Sequence, residues 1–378
     1  MDIKKVVVTG NAGFLRRHQL LFKEMSNHFE QIECLSSGDL SNIKVFDLLL
    51  RGLIRGIDTT FSPQSANRFW INERTFITRS QQTERKIRRL GDRPDLIFHI
   101  FGLFSPFWDQ FDIPYVMYLD YTMALAHRNW LPWSPFNTEQ EFASWINCER
   151  VSYRNAHHLF TMGSTTQHSL VEDYGIEPEK ITAVGSSGNC ELYEGKKSFG
   201  NQQILFNGSD FTRKGGELVL TAFKQLRKSG TEIQLVIIGK KLPIQEAGVI
   251  NPGNIASRLE LQNLFLNTDL VVAPAHCDPF PTFLMEAMNY GVPCIVSAVD
   301  GMPEIVDNHV NGVVLEQPTS DRIARQIEDL LTDIPRLMLM SENARHKIRT
   351  QLNWKTIANT ISNVLSTQSK SELFIHST

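Results

Sequence analysis

The chain has 378 residues, a hydrophobic content of 42%, a charged content of 21% and a formal net charge of -3. These values are typical of a soluble globular protein of about two or three domains with a large core, and they argue against a nucleic-acid-binding protein. The five cysteines are an odd number without a CxxC pair, which argues against a disulfide framework and a structural zinc site and favours a reducing cytoplasm.

The N-terminal sequence MDIKKVVVTG predicts a strand rather than a signal peptide, and no run approaches the roughly 18 apolar residues of a transmembrane helix. Residues 1–93 carry a basic excess and residues 94–190 an acidic one. The basic part could contact an anionic membrane or acceptor, but scattered solvated arginines explain it as well. We therefore expect a cytoplasmic protein and leave open a peripheral contact of the N-terminal domain with the inner face of the membrane.

Short apolar runs rich in β-branched residues alternate with helix-like segments. The runs are VVVTG, DLIFHIF, PYVMYLD and HHLFTM in the first half, and ILFNG, IQLVIIG, DLVVAPA and PCIVSA in the second. This alternation predicts parallel sheets covered on both faces. The pattern starts afresh after the polar segment 189–202, which we interpret as a linker between two doubly wound domains. Ligands of such domains bind beyond the carboxyl ends of the strands.

The loop after the first predicted strand, GNAGFLRRH, contains Gly10 and Gly13, which would let the backbone approach a ligand closely. It is not the GxGxxG fingerprint, and a tight turn without a ligand explains it equally well. Farther on, residues 44–57 have basic residues interleaved among apolar ones. They could form a surface-lying amphipathic helix, although a helix packed on the sheet is the simpler interpretation.

Aromatic residues are frequent between 101 and 145, several of them on segments broken by proline. Such residues stack on sugar rings but also pack in cores, so we consider both an acceptor site and core packing. Asp120 ends the strand PYVMYLD, where a side chain would face a ligand. His127 could reach the same region, although a lone histidine is more often structural than catalytic.

The segment FNGSDFTRKGGELVL combines a strand, a loop and the start of a helix. Arg213 and Lys214 stand at the helix entrance, followed by Gly215 and Gly216, which allow close backbone approach. Two cations beside the free N–H groups of a helix N-terminus would neutralise a diphosphate leaving group. The alternative is an ordinary basic pair on the surface, which the position between a strand and a helix disfavours.

Residues 277–304 begin with an acidic residue in a proline-rich loop and continue into a short predicted helix. Asp278 and Glu286, eight positions apart, can place two carboxylates at one ligand, and a second turn, DGMPE, ends in Glu304. A helix N-terminus ringed by carboxylates that bind hydroxyls suits a phosphate-bearing sugar. An ordinary αβ unit with solvated acids explains the spacing equally well.

Together these motifs resemble the retaining glycosyltransferases of family 4, which have the GT-B fold. The resemblance is strongest from 150 to 305, where SDFTRKGG is similar to the donor-phosphate segment and DPFPTFLMEAMNYGVPCIVSAVDGMPEIV to the E-x7-E region. It implies an α/β protein of two Rossmann-like doubly wound domains facing a central cleft. These would be an acceptor domain at 1–190 and a nucleotide-sugar donor domain at 191–355. Residues 356–378 would form a C-terminal helix that crosses back to the first domain, followed by a tail.

The resemblance also implies a donor site. Its implied residues are Gly10, Gly13, Arg213, Lys214, Asp278, Phe280, Thr282, Phe283 and Glu286. Arg213 and Lys214 would bind the diphosphate. Asp278 would contact the hydroxyls of the transferred sugar, and Glu286 those of the ribose. Backbone N–H groups of Thr282 and Phe283 would approach the sugar or the phosphates.

Three positions depart from the family pattern. Asp278 is one methylene shorter than the usual glutamate. Pro281 replaces the usual glycine and removes one N–H from the phosphate cradle. Many members have a histidine where this chain has Asp120, so Asp120 becomes our candidate for orienting the acceptor hydroxyl. His127 and Trp130 are tentative acceptor contacts.

The implied reaction moves a sugar from a nucleotide diphosphate sugar, with UDP as the expected nucleotide, to a hydroxyl of a glycan, a lipid or a small molecule. The anomeric configuration is retained, and the candidate catalytic residues are Asp120, Arg213, Lys214 and Asp278. No metal or other cofactor is expected, because two cations would stabilise the leaving group and the sequence has no DxD pair. No nucleic acid is expected as a partner, because of the composition and net charge described above. Alternatives are a nucleotide-sugar epimerase or phosphorylase on the same fold, or a non-catalytic homologue that binds nucleotide or glycan.

Overall fold

The computed structural model describes residues 3–37 and 70–375, with side chains up to 367. The segment 44–57, for which an amphipathic helix was considered, lies outside the described residues. The chain forms two compact units. The first comprises Met1–Val184 and Ile357–Thr378, and the second comprises Gly185–Thr356.

The first unit is built on a parallel six-stranded sheet in the order β2-β1-β3-β4-β5-β6. The strands are β1 (Lys5–Gly10), β2 (Gln31–Ser36), β3 (Leu96–Ile100), β4 (Tyr115–Leu119), β5 (His158–Thr161) and β6 (Ile181–Ala183). The described α-helices are α1 (Ala12–Arg17), α2 (Gln19–Met25), α3 (Glu73–Arg88), α4 (Met123–Asn129), α5 (Glu139–Asn155) and α6 (Ser164–Glu172). Short 3-10 helices occur at Leu131–Trp133 and Pro178–Lys180.

The second unit contains another parallel six-stranded sheet, in the order β12-β11-β10-β7-β8-β9. Its strands are β7 (Gln203–Asn207), β8 (Gln234–Ile238), β9 (Val249–Gly253), β10 (Leu270–Ala273), β11 (Cys294–Ser297) and β12 (Gly312–Leu315). Its helices are α7 (Gly216–Lys228), α8 (Arg258–Asn267), α9 (Thr282–Asn289), α10 (Met302–Ile305), α11 (Ser320–Thr332) and α12 (Ile334–Thr350). The last described helix is α13 (Trp354–Ile375), which starts in the second unit and belongs to the first from Ile357 onward.

All eight predicted strands are present, and they form the interior of the two sheets. Interior strands are buried on both faces, which is why they stand out as continuous apolar runs. The four strands that the sequence did not predict, β2, β6, β9 and β12, end the two sheet orders among the described residues. Two doubly wound α/β units confirm the predicted fold class.

Most aromatic residues between 101 and 145 pack in or against the core of the first unit. Phe104, Phe107 and Trp145 are buried. Trp108, Phe111, Trp133 and Phe136 are partly buried against the same core. Core packing therefore accounts for most of the aromatic enrichment. Trp130, the tentative acceptor contact, is half-buried.

The polar segment 189–202, interpreted as a linker, is bound along the second unit. The Tyr193 N–H donates to Asn289 Oδ1 at 3.2 Å. Lys197 Nζ donates to the backbone oxygens of Phe265, Leu266 and Thr268 at 3.2, 3.2 and 2.6 Å, at the C-terminal end of α8. A lysine that caps the last carbonyls of a helix stabilises that helix end.

Within residues 3–37 and 70–375, no helix combines the length and the hydropathy that crossing a membrane requires.

Candidate functional site

The loop between β7 and α7 brings two cations to the carboxyl end of the second sheet. Arg213 is buried, and its Nε donates to Asp210 Oδ2 at 2.9 Å. Its Nη1 donates to the backbone oxygen of Cys277, in the loop after the neighbouring strand β10. The His276 N–H in that loop donates back to the Arg213 oxygen at 2.8 Å. The two strand-end loops are therefore joined through Arg213.

Asp278 forms ion pairs with both cations. Its Oδ2 lies 2.6 Å from Lys214 Nζ and 3.5 Å from Arg213 Nη1. The exposed fractions of the Asp278, Lys214 and Arg213 side chains are 13%, 14% and 9%. Charges so little exposed are weakly screened by salt. The structure thus brings together three of the predicted site residues, from loops about 65 positions apart in the chain, because both loops leave adjacent parallel strands.

Gly215 makes the turn between Lys214 and the first residue of α7. Its φ is +75°, in the left-handed region, and a Cβ there would overlap the Pro274 backbone oxygen. No other residue type fits without moving one of the two joined loops. Gly215 was predicted to allow close approach at a diphosphate site, whereas the close approach in the structure is to the Pro274 backbone.

We expect Gly215→Ala to destabilise the protein by roughly 3 kcal/mol, because the left-handed conformation and the overlap with Pro274 both add cost. Urea denaturation measures the change in the free energy of unfolding. Gly230→Ala is the matched control, since Gly230 has a φ of +95° but no atom within 4 Å of its ideal Cβ. It should cost only about 1–2 kcal/mol. Equal losses for the two variants would contradict the close approach.

The turn after β11 supports the Asp278 loop from the other side. Asp300 Oδ2 accepts a hydrogen bond from the Asp278 N–H at 2.9 Å, and the Gly301 N–H donates to the Pro279 oxygen at 2.9 Å. This turn was predicted from DGMPE with Glu304 as its carboxylate of interest, and Asp300 was not among the predicted site residues. The Asp-Gly dipeptide is a turn signal, but it does not reveal which backbone group the carboxylate will accept from.

Helix α9 begins directly after Pro281, and Thr282 is its first residue. The N–H groups of Thr282 and Phe283 fall in the first turn, where helix geometry supplies no acceptor within the helix. Phe280 is buried beside them. Phe283 lines a small pocket together with Lys214 and Asp278. Phe283 of the predicted phosphate cradle and one of the two cations, Lys214, therefore border the same pocket.

Glu286 lies one turn farther along α9. Its Oε1 accepts from the Asn189 N–H at 3.1 Å. Burial raises the pKa of the Glu286 carboxyl, and the Asn189 N–H and the positive charge of Arg258 oppose that rise. A Cβ on Gly188 would lie 2.8 Å from Glu286 Cγ, so the chain passes tightly over this side chain. Local sequence patterns do not reveal that Gly188 and Asn189 contact Glu286.

In the first unit, the predicted glycine loop follows β1. The Gly13 N–H donates to Asn11 Oδ1 at 2.9 Å, as part of the N-cap of α1. A Cβ on Gly10 would lie 3.3 Å from the Ile100 backbone oxygen. Both glycines thus have a local structural role, and their predicted part in donor binding stays a prediction.

Asp120 directly follows β4, and its backbone oxygen accepts from Thr166 Oγ1 at 2.6 Å. His127 lies on α4. Its ring is stacked on Phe142 with centroids 4.1 Å apart, and its Nδ1 is 2.9 Å from Ser134 Oγ. These contacts give His127 a structural role, whereas Asp120 keeps the strand-end position that the sequence predicted.

A buried carboxyl group supports the segment after Asp120. Glu149 Oε2 accepts from the Met123 N–H at 3.3 Å and from the Tyr174 hydroxyl. The same hydroxyl accepts from the Ala124 N–H at 3.2 Å. Burial raises the pKa of Glu149 to about 7, against the hydrogen bonds that it accepts. The start of α4 is therefore fixed by a group that the sequence analysis did not single out.

Within residues 3–37 and 70–375, no group of three or more His, Cys, Asp and Glu side chains is arranged to hold a metal ion. The charged cluster at the end of β7 and β10 consists of the cations Arg213 and Lys214 and the carboxylates of Asp210 and Asp278.

Comparisons with known proteins agree with this architecture. Residues 194–347 match the family model of glycosyl transferases group 1. A curated relative, the lipopolysaccharide glucosyltransferase WaaG of Escherichia coli, is 29% identical over 188 residues, which are 47% of this chain and 50% of that protein. The chain thus spans about half the length of this relative.

Two solved structures share the fold. Sucrose-phosphate synthase from Thermosynechococcus elongatus has a TM-score of 0.70 at 14% identity, over 97% of this chain and 100% of that one. HepE of Anabaena, in complex with UDP-glucose, has a TM-score of 0.62 at 16% identity, over 96% and 99%. With two parallel sheets and the strand-end motifs described above, this chain has the two-domain GT-B fold, and its residues 194–347 are similar to glycosyl transferases group 1.

Proposed function

We propose that this protein transfers a sugar from a nucleotide diphosphate sugar, with UDP as the expected nucleotide, to a hydroxyl group of a glycan, a lipid or a small molecule. The observation that carries the proposal is the meeting of Arg213, Lys214 and Asp278 beside the first turn of α9. The similarity to a lipopolysaccharide glucosyltransferase and to a structure that contains UDP-glucose supports the same donor class.

The departure of the nucleoside diphosphate is the demanding step, because negative charge grows on the leaving phosphate. Arg213 is held rigidly by Asp210 and the Cys277 oxygen, so its guanidinium is oriented before the donor binds. Lys214 and the N–H groups at the start of α9 supply further positive charge. Preorganised positive groups of this kind stabilise a transition state more than a ground state.

Asp278 is proposed to contact the hydroxyls of the transferred sugar. Its carboxylate pairs with Lys214 at 2.6 Å, and a bound diphosphate would take over part of that pairing. Asp278 acts as an orienting group rather than as a nucleophile. Attack on the same face as the leaving group, with the leaving phosphate accepting the acceptor's proton, retains the anomeric configuration without a covalent enzyme intermediate.

Asp120 is proposed to orient the acceptor hydroxyl from the first unit. It stands at the end of β4, and the segment after it is fixed by Thr166 and by Glu149 with Tyr174. The proposed reaction needs no metal, because Arg213 and Lys214 take the part of a divalent cation on the diphosphate.

The test is incubation with UDP-, GDP- and ADP-sugars and a panel of hydroxyl acceptors, with the released nucleoside diphosphate measured. Release that requires an acceptor, survives a chelator and yields a product of retained configuration by NMR would support the proposal. Tight nucleotide binding without turnover on any acceptor would instead favour the non-catalytic alternative.

We expect Glu286→Ala to weaken the binding of nucleotide by roughly tenfold to a hundredfold, because hydrogen bonds to a charged acceptor contribute about 1.5–3 kcal/mol. Calorimetric titration with UDP measures this change. Glu260→Ala is the control, since Glu260 is exposed on α8 of the same unit and should leave the affinity unchanged. Unchanged affinity in Glu286→Ala would remove the ribose assignment.

A further inference from the structure

Two loops of the second unit that follow adjacent strands are hydrogen-bonded to each other. They are residues 277–280 after β10 and residues 299–301 after β11. Two hydrogen bonds join them. The Asp278 N–H donates to Asp300 Oδ2 at 2.9 Å, and the Gly301 N–H donates to the Pro279 oxygen at 2.9 Å. One bond uses a side chain and the other only backbone, so substitution can remove the first without removing the second.

The 299–301 loop is built tightly against its neighbour. A Cβ on Gly301 would overlap the Pro279 oxygen and the Phe280 ring. Asp300 itself has a φ of +48°, in the left-handed region that residues other than glycine rarely adopt. Asp is among the residues that tolerate this conformation, and such residues persist where the surrounding contacts over-determine the backbone.

The Asp300 bond acts on the residue that holds Lys214. The backbone of Asp278 is anchored by Asp300, while the side chain of Asp278 contacts Lys214 Nζ at 2.6 Å and Arg213 Nη1 at 3.5 Å. A hydrogen-bonded ion pair of 2.6 Å loses its geometry if the backbone that carries it moves by about 1 Å. The position of Lys214 therefore depends on the carboxylate that anchors the Asp278 backbone.

We propose that Asp300 is a positioning residue of the donor site, which holds Asp278, and through it Lys214, in the arrangement that sugar transfer requires. The inference rests on the proposed function and extends it to a residue that the E-x7-E pattern does not contain. Asp300 contributes through the Asp278 backbone and takes no part in bond making or breaking.

Three variants test this proposal. Asp300→Gly suits the left-handed backbone but removes the acceptor of the Asp278 N–H, so kcat for sugar transfer should fall roughly tenfold to a hundredfold, as for a misplaced catalytic group. Asp300→Asn keeps an acceptor oxygen and tolerates the same φ, so it should recover most of kcat. His309→Gly is the matched control, because His309 is another left-handed residue of this unit, with a φ of +62°. It should leave kcat unchanged.

A double-mutant cycle separates action through Asp278 from an independent effect. If Asp300 works by holding Asp278, then Asp300→Gly should cost no further activity in an Asp278→Ala background. Additive losses in kcat from the two substitutions would overturn the proposal, as would equal activities of Asp300→Gly and the wild type.

Exchange of the Asp278 amide hydrogen gives a readout that needs no turnover. We expect slow exchange in the wild type and in Asp300→Asn, and faster exchange in Asp300→Gly. If the wild type releases no nucleoside diphosphate from any donor, the proposed function fails while this readout still tests the contact. Unchanged exchange in Asp300→Gly would overturn the positioning role even in an active enzyme.

Discussion

Lys214→Ala is expected to lower the turnover of sugar transfer by on the order of a hundredfold to a thousandfold, the range seen when a preorganised donor to a developing negative charge is removed. Lys214 Nζ pairs with Asp278 at the pocket that Asp278 and Phe283 also line. Removing it leaves Arg213 with its contacts to Asp210 and Cys277, so the fold should persist. Most of the loss should appear in kcat, because the charge on the leaving phosphate is largest in the transition state.

Steady-state release of nucleoside diphosphate measures this effect, and circular dichroism on heating verifies that the variant is folded. Lys224→Ala is the control, because Lys224 lies on α7, directly after the Lys214 loop, is 52% exposed and pairs with Glu246 at 3.2 Å. It should turn over like the wild type. Near-normal turnover in Lys214→Ala would show that Lys214 does not bind the diphosphate in the transition state.

Glu149 should make the stability of the protein fall as the pH rises from about 4.5 to about 7. Burial raises the pKa of this carboxyl in the folded protein to about 7, from a reference value of 4.5. Between these two values the folded state keeps a proton that the unfolded state releases. A rise in pH therefore favours unfolding, by about 3 kcal/mol in total, and the contribution is constant below and above this window.

Glu149→Gln isolates this contribution, because a neutral amide can still accept from Tyr174 and from the Met123 N–H. The difference in the free energy of unfolding between wild type and variant should shift by about 3 kcal/mol between pH 4.5 and pH 8, in favour of the variant at the higher pH. Urea denaturation across this range measures both profiles. Parallel profiles would mean that Glu149 titrates alike in the folded and unfolded states.

The sequence predicted the interior strands well and the outer ones poorly, for a physical reason. DLIFHIF and IQLVIIG are largely apolar because the sheets bury them on both faces. The outer strand β2, QIECLS, is partly exposed along its whole length, and β6 has only three residues. Such strands are formed by pairing with a neighbour and not by their own apolar pattern, so sequence inspection passes over them.

The residues of the candidate site likewise fall into those that local patterns predicted and those that they did not. Arg213, Lys214 and Asp278 were predicted because each stands at the end of a recognisable strand in a family-like motif. Asp300 and Asn189 were not predicted as site residues. Asp300 acts through a carboxylate oxygen that accepts from the distant Asp278 N–H, and Asn189 acts through its own backbone N–H, which donates to Glu286. Contacts of this kind depend on how the loops fold against each other, which local patterns do not encode.

The outer strands of the second sheet also protect the protein from its own copies. An exposed strand edge offers unpaired N–H and C=O groups to which another chain can add a strand. The β9 edge carries Pro252, which has no N–H to donate, and the β12 edge is only four residues long. The sheet therefore ends in two poor templates for intermolecular pairing. These features favour a protein that resists edge-to-edge aggregation at high concentration.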